Sequence, residues 1–303
     1  MDSIAEAKRA ADANAKVKLD KVLERFSGPY KVNGAGDKVF ARPMFRMNGE
    51  KSLNKETADA HKYELRKICT KYGVSQQAME NACVGRPTPE QLVKVTQALI
   101  DAGKLKLESG ATTEERIRNM QNTWGIGMDC AGYVREAAIA VHGDSAQVLV
   151  GGKRGENRYG AIDRLLQTRA FKKIDISDIR SIRTGDIIHL EVGQIGHNAI
   201  VQNHEVLTPS MRAKLSARYP NDPKLANFLN GEGPIHVLSV DSSWGISWGV
   251  EHGGFRRDTW IYDESAEKKK WGYFTPDGGI FVTGNDGPIG EKFTGAFRPT
   301  SAK

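Results

Sequence analysis

Cys130 is the residue around which chemistry can be built. It follows Met128-Asp129 and opens the run Cys130-Ala131-Gly132-Tyr133-Val134, which reads as the start of a helix reaching Val141 and stopped by Gly143. Asp129 is an N-cap residue type, so Cys130 falls in the first turn. Unpaired N–H groups and aligned peptide dipoles place partial positive charge there. That environment favours a thiolate, and a thiolate is the nucleophile of acyl-transfer chemistry. The preceding turn, Trp124-Gly125-Ile126-Gly127, lets a substrate come close. Trp124, Gly127, Asp129 and Trp244 are the candidate substrate-lining residues, with Trp248 beside them. Trp124 fits a core stripe equally well, and Asp129 fits a helix cap better than an acid or base.

A nucleophilic cysteine needs an imidazole to take its proton and a third polar group to orient the ring. His197 follows Gly193-Gln194-Ile195-Gly196 and begins an apolar strand, and Asp241 ends a later one. Asp241 is placed to reach the second ring nitrogen of His197 and set its tautomer. Asn203 and His204 are alternatives for the third position, and His204 or His252 for the base. His189 and His236 read as structural or exposed strand residues. Cys69 and Cys83 read as core thiols on helices.

The elements that must hold these groups change character along the chain. Residues 3–26, 53–70 and 75–84 carry helical periodicity. Thr88-Pro89-Glu90-Gln91 is a capping box with proline in the first turn, and Gly103 ends the helix it opens. Residues 27–52 read as a long Gly- and Pro-containing connection. Residues 1–108 therefore form an all-α region. Thr112-Thr113-Glu114-Glu115 opens another helix just before the Cys130 turn. Beyond residue 183, strands are expected at Asp186–Val192, His197–Val201, Ile235–Asp241, Thr259–Tyr262 and Gly279–Thr283. Residues 204–234 read as a polar insertion, partly helical around Met211–Arg218. An insertion of that length points to function or mobility. The expected class is α+β, with a catalytic domain over 109–303 in which a Cys-bearing helix packs on an antiparallel sheet.

The order GMDCAGYV, RTGDIIHLEVGQIGHNAIV, IHVLSVDSSWG resembles the NlpC/P60 family of the papain-like superfamily, and more distantly CHAP amidases. The likeness covers about residues 110–250. It implies a papain-like fold with Cys130 as nucleophile, His197 as base and Asp241 as orienting residue. It further implies hydrolysis of amide bonds in peptidoglycan stem peptides, by an endopeptidase or an amidase. Two departures stand out. Trp124 and Gly125-Ile126-Gly127 replace the family's upstream Tyr and paired glycines, and Asp241 lies far along the chain from His197. Papain-like toxins that deamidate, cross-link or transfer acyl groups onto a protein or lipid are the alternative enzyme class. A non-catalytic binding module is the alternative outside enzymes.

Composition narrows the field further. The 303 residues carry a net charge of +7, most of it in residues 1–108, where 20 Lys and Arg face 14 Asp and Glu. Such a surface attracts anionic partners such as nucleic acid, cell-wall glycopolymer or lipid headgroups, or is a mixed, solvated helical surface; no basic-aromatic nucleic-acid motif accompanies it, which favours the solvated reading over nucleic acid. Three cysteines without a CxxC pair argue against a disulfide framework or a metal knuckle. HExxH, DxDxDG and phosphate-loop patterns are absent, so neither metal nor nucleotide cofactor is expected. No apolar run is long enough to span a membrane. The charged N-terminus lacks the apolar centre of a signal peptide. The expectation is synthesis in the cytoplasm followed by export through a specialised secretion or injection system. That route suits an antibacterial effector with an immunity partner, or a lysis enzyme.

Overall fold

Short-range capping signals start several helices where the sequence places them. In the computed structural model, Thr88 Oγ1 accepts from Gln91 N while the Gln91 side chain accepts from Thr88 N, closing the capping box of α4 (Pro89–Asp101). Thr112 and Glu115 close the same reciprocal pair at α5 (Thr113–Thr123). Each satisfies two amide donors that a helix start would otherwise leave open. Before them come α1 (Asp2–Ser27), α2 (Lys55–Lys71) and α3 (Gln76–Cys83). After them comes α6 (Cys130–His142). The structure describes residues 2–46, 55–143, 171–175, 178–192, 195–230, 233–245, 253–265, 270–274, 280–283 and 292–300. Trp248, His252 and Gly279 lie outside them.

The fold is α+β. A short hairpin, β1 (Tyr30–Val32) and β2 (Gly36–Val39), forms within the stretch read as a connection. The main sheet holds β3 (Phe171–Ile174), β4 (Ile187–Val192), β5 (Ile195–Val206), β6 (Ile235–Trp244), β7 (Gly254–Asp263), β8 (Lys270–Phe274), β9 (Ile280–Thr283) and β10 (Lys292–Pro299). Its eight strands are antiparallel, in the order β3-β10-β4-β5-β6-β7-β8-β9. Trp271 on β8 and Phe293 on β10 stand with ring centroids 5.2 Å apart, although four strands separate theirs in the sheet. Flat strands at about 4.8 Å spacing could not bring them together, so the sheet curls toward a barrel.

Both faces of this sheet are apolar. The inner face packs Ile188, Leu190, Ala199, Val201, Leu238, Val240 and Trp260 into one core, joined by Ile179 and Ile182 from a 3-10 turn. The outer face gives Ile187, Ile200 and Phe255 to a second core, shared with Leu19, Val22 and Phe26 of α1 and Tyr133 and Val134 of α6. That second core also contains Leu92, Val95 and Leu99 of α4. The helices of residues 1–108 thus pack into the same core as the Cys130 helix. Polar ties reinforce the seam: Lys18 Nζ donates to Val141 O, and Gln202 and Arg257 both donate to Asp20 Oδ1.

The segment read as a polar insertion is ordered. β5 runs on to Val206, and α7 (Pro209–Arg218) and α8 (Pro223–Leu229) follow. Leu225, Phe228 and Leu229 of α8 bury against Leu207, Ile235 and Ile261, so this segment carries a small core of its own. No helix of the described residues is long and apolar enough to cross a membrane.

Candidate active site

Asp129 caps α6 as its residue type requires. Its Oδ1 accepts from Gly132 N at 2.5 Å, and its Oδ2 faces Arg86 Nε at 3.2 Å. Burial pushes the Asp129 carboxyl up to about 6, against the pull of Arg86 and of the Gly132 amide. Cys130 is therefore the first residue of a capped helix and is half-buried. The amide of Ala131, in the same first turn, has no intrahelical carbonyl to bind, which is the kind of donor that can hold an oxyanion. Cys69 is fully buried, and burial pushes its thiol up to about 11; Cys83 is raised for the same reason. Those two are core thiols.

The turn before Cys130 is braced by the N-terminal third of the chain. Met128 N donates to Met44 O at 2.8 Å, and Asp129 N donates to Gly85 O at 2.7 Å. A side chain at Gly127 would stand 2.3 Å from Met44 O, and one at Gly85, where φ is +78°, would stand 1.7 Å from Arg46 O. Gly127 thus makes room for the chain's own backbone rather than for a substrate. Ser243 Oγ donates to Met128 O at 2.6 Å, pinning the turn to the end of β6.

Strand register decides which side chains lie beneath this helix start. Ile187 pairs with Ile200, and both belong to the core shared with α6. His189 pairs with Asn198 two residues further along, so these two share the outer, helix-bearing face. On β6, Asp241 touches Tyr133 of α6, and Ser243, two residues on, touches Met128. Tyr133 stands one helical turn after Cys130, about 4.5 Å along the axis. The start of α6 therefore stands on this face at the Ser243 end of β6, and Asn198 and His189 continue the same row across β5 and β4. His189 is half-buried, and its Nδ1 lies 2.9 Å from Asn198 Oδ1. A carboxamide oxygen only accepts, so Nδ1 carries the proton of the neutral ring and Nε2 is its acceptor nitrogen.

His197 lies on the other face. It pairs with Leu190 and shares the parity of Ala199 and Val201, all inner-core residues. Its ring stacks on Trp244 at 3.7 Å, and its Nε2 meets Ser242 Oγ at 3.0 Å. Burial, helped by Arg256 and His189, holds this imidazole down to about 3. The sheet backbone separates it from the helix that bears Cys130. Asp241 does not meet His197 either. It accepts from Arg257 Nε at 2.6 Å and Nη2 at 2.9 Å, and from Tyr133 Oη at 3.3 Å, on the outer face. Trp244 is the inner-face partner of His197, with Arg256 stacked 4.6 Å from its ring. Trp124 is buried in the helical core and stacks on His61 at 4.8 Å.

The sequence alone reads His189 as a structural or exposed strand residue and does not single out Asn198. The signal that finds them is the tight connection between β4 and β5, which sets His189 opposite Asn198, combined with the face on which Ile187 and Ile200 sit. Asn203 and His204 lie beyond a bulge in β5, away from this row. Compared with protein-family models, with curated proteins and with solved structures, the chain matches none.

The cap makes a testable demand on the thiol. Asp129→Asn keeps an acceptor for Gly132 N but removes a negative charge beside Cys130 and releases Arg86. The pH profile of Cys130 alkylation by iodoacetamide, followed on its own peptide by mass spectrometry, should move down by about 0.5–2 pH units. An unchanged or upward-moving profile would remove Asp129 from the electrostatics of the thiol.

Proposed function

We propose that this protein is a cysteine hydrolase of the papain-like type, with Cys130 as nucleophile, His189 as base and Asn198 as the group that orients the base. The observation that carries this reading is the His189–Asn198 pair on the outer face of the sheet, the same face on which Ser243 holds the turn before the capped Cys130. A Cys–His–Asn set of this kind performs acyl transfer in two halves. His189 Nε2 takes the thiol proton, and the sulfur attacks the carbonyl carbon while first-turn amides hold the oxyanion. The amide C–N bond breaks as His189 returns the proton to the leaving amine. Water, deprotonated by His189, then cleaves the thioester and regenerates the thiol.

The substrate class proposed is the stem peptide of peptidoglycan. The likeness of Asp129-Cys130-Ala131-Gly132-Tyr133-Val134 to the NlpC/P60 helix start supports it, and the positive net charge suits an anionic wall polymer. The test is muropeptide profiling of purified peptidoglycan treated with wild type and with Cys130→Ala. New peptide-cleaved fragments are expected from the wild type alone. Identical profiles, with Cys130 still rapidly alkylated, would move the reading to acyl transfer or deamidation on a protein or lipid.

A further inference from the structure

On the inner side of the sheet, far from the Cys130 row, two histidines and a glutamate form a continuous hydrogen-bonded chain. Ile182 O lies 2.9 Å from His204 Nδ1, His204 Nε2 lies 3.0 Å from His236 Nδ1, and His236 Nε2 lies 3.1 Å from Glu264 Oε2. His236 is fully buried. A carbonyl oxygen only accepts, so the first contact fixes a proton on His204 Nδ1. The other two contacts each require one more. Three protons are thus needed, whereas two neutral imidazoles carry two. A fully bonded chain requires one proton beyond two neutral rings and an ionised carboxylate.

We propose that Ile182, His204, His236 and Glu264 form a pH-sensitive latch, in which one shared surplus proton ties the 3-10 turn to β5, β6 and the end of β7. The latch anchors the approach to β4. Ile182 leads through Arg183 to Asp186, which Arg298 holds at 2.7 Å through both its oxygens, and then into the strand bearing His189. Arg180 Nε lies 3.7 Å from Glu264 Oε1 and 2.8 Å from Asp178, so both signs flank the chain. The ring of Tyr262 covers His236 at 6.4 Å, and Asp263 is occupied by the Ser265 amide and hydroxyl.

The sign of the pH effect follows from proton counts. Free imidazoles titrate near pH 6.5, so above about pH 7 the unfolded chain holds less than one surplus proton on these groups. The folded chain then binds more, and stability falls as pH rises. Below about pH 6 the unfolded histidines together hold nearly two, and stability falls again. Glu264→Gln replaces the carboxylate with an amide that can donate to His236 Nε2, closing the chain with two neutral rings. The experiment is denaturant unfolding of the full chain and of Glu264→Gln between pH 6 and 9. The ratio of their unfolding constants should change about tenfold per pH unit above neutrality, with the variant gaining on the wild type. Parallel curves would overturn the latch. Should the variant not fold, the wild type's imidazole nitrogen and Glu264 carboxyl NMR shifts at pH 7 decide. One cationic ring or a protonated Glu264 is expected, and two neutral rings beside an ionised carboxylate would refute it.

Discussion

His189→Ala is expected to lower the rate of amide cleavage by about 10²–10⁴-fold, approaching the loss in Cys130→Ala. His197→Ala, measured per folded molecule, should stay within a few-fold of wild type. The contrast follows from the faces of one sheet. His189 shares the outer face with the start of α6, and Asn198 holds its proton on Nδ1. His197 is stacked on Trp244 inside the barrel, and burial keeps it neutral at any pH of interest. Its truncation leaves a cavity and strips a partner from Ser242, so the cost appears as a lower unfolding midpoint. Asn198→Ala should lose less than His189→Ala, since the ring remains but its orientation is no longer set. Rates on a defined stem peptide, normalised to folded protein by circular dichroism, separate the two histidines. Loss of turnover in His197→Ala with full turnover in His189→Ala would reverse the assignment.

Arg257→Ala is expected to destabilise the fold by about 3–5 kcal/mol, because it leaves a buried carboxylate without its cation. Asp241 is completely buried, and Arg257 meets both its oxygens. Burial raises the Asp241 carboxyl even with Arg257 present, and losing the cation would raise it further. A raised carboxyl contributes stability below its unfolded pKa, and that contribution is lost as pH rises. The deficit of Arg257→Ala should therefore shrink as the solution is taken from pH 7 toward pH 4. Asp20 of α1 and Tyr133 of α6 meet at the same cluster, so the variant also loosens α1 and α6 against the sheet. Urea unfolding at the two pH values reads both effects. A change below about 1 kcal/mol at pH 7 would show that the ion pair contributes little beyond its own desolvation.

Signals that act within four residues were legible from the chain alone. The capping pairs Thr88–Gln91 and Thr112–Glu115, and the Asp129 cap that puts Cys130 at a helix start, are contacts between a side chain and backbone one turn away. They need no knowledge of the rest of the fold. The α+β order of elements was legible for the same reason. Strands β1, β2, β3, β8 and β10 were not, since they are short or interrupted by Gly and charged residues and owe their place to partners distant in sequence.

The choice of histidine belonged to the tertiary structure. A sheet with water on one face alternates apolar and polar residues, and the pattern names the face. Here Ile187 enters one core and Ile188 the other, as do Ile200 and Val201, so β4 and β5 carry apolar residues on both faces and show no clean alternation. Nothing in such a strand says which way His189 or His197 points. Asp241 was ambiguous in a related way, since its partner Arg257 comes from the neighbouring strand and its face from contact with Tyr133. The amino-acid sequence by itself determined that a cysteine would sit at the positive end of a helix. Only the pairing of β4 with β5, and the side of the curled sheet to which that helix docks, decided which imidazole shares a face with it.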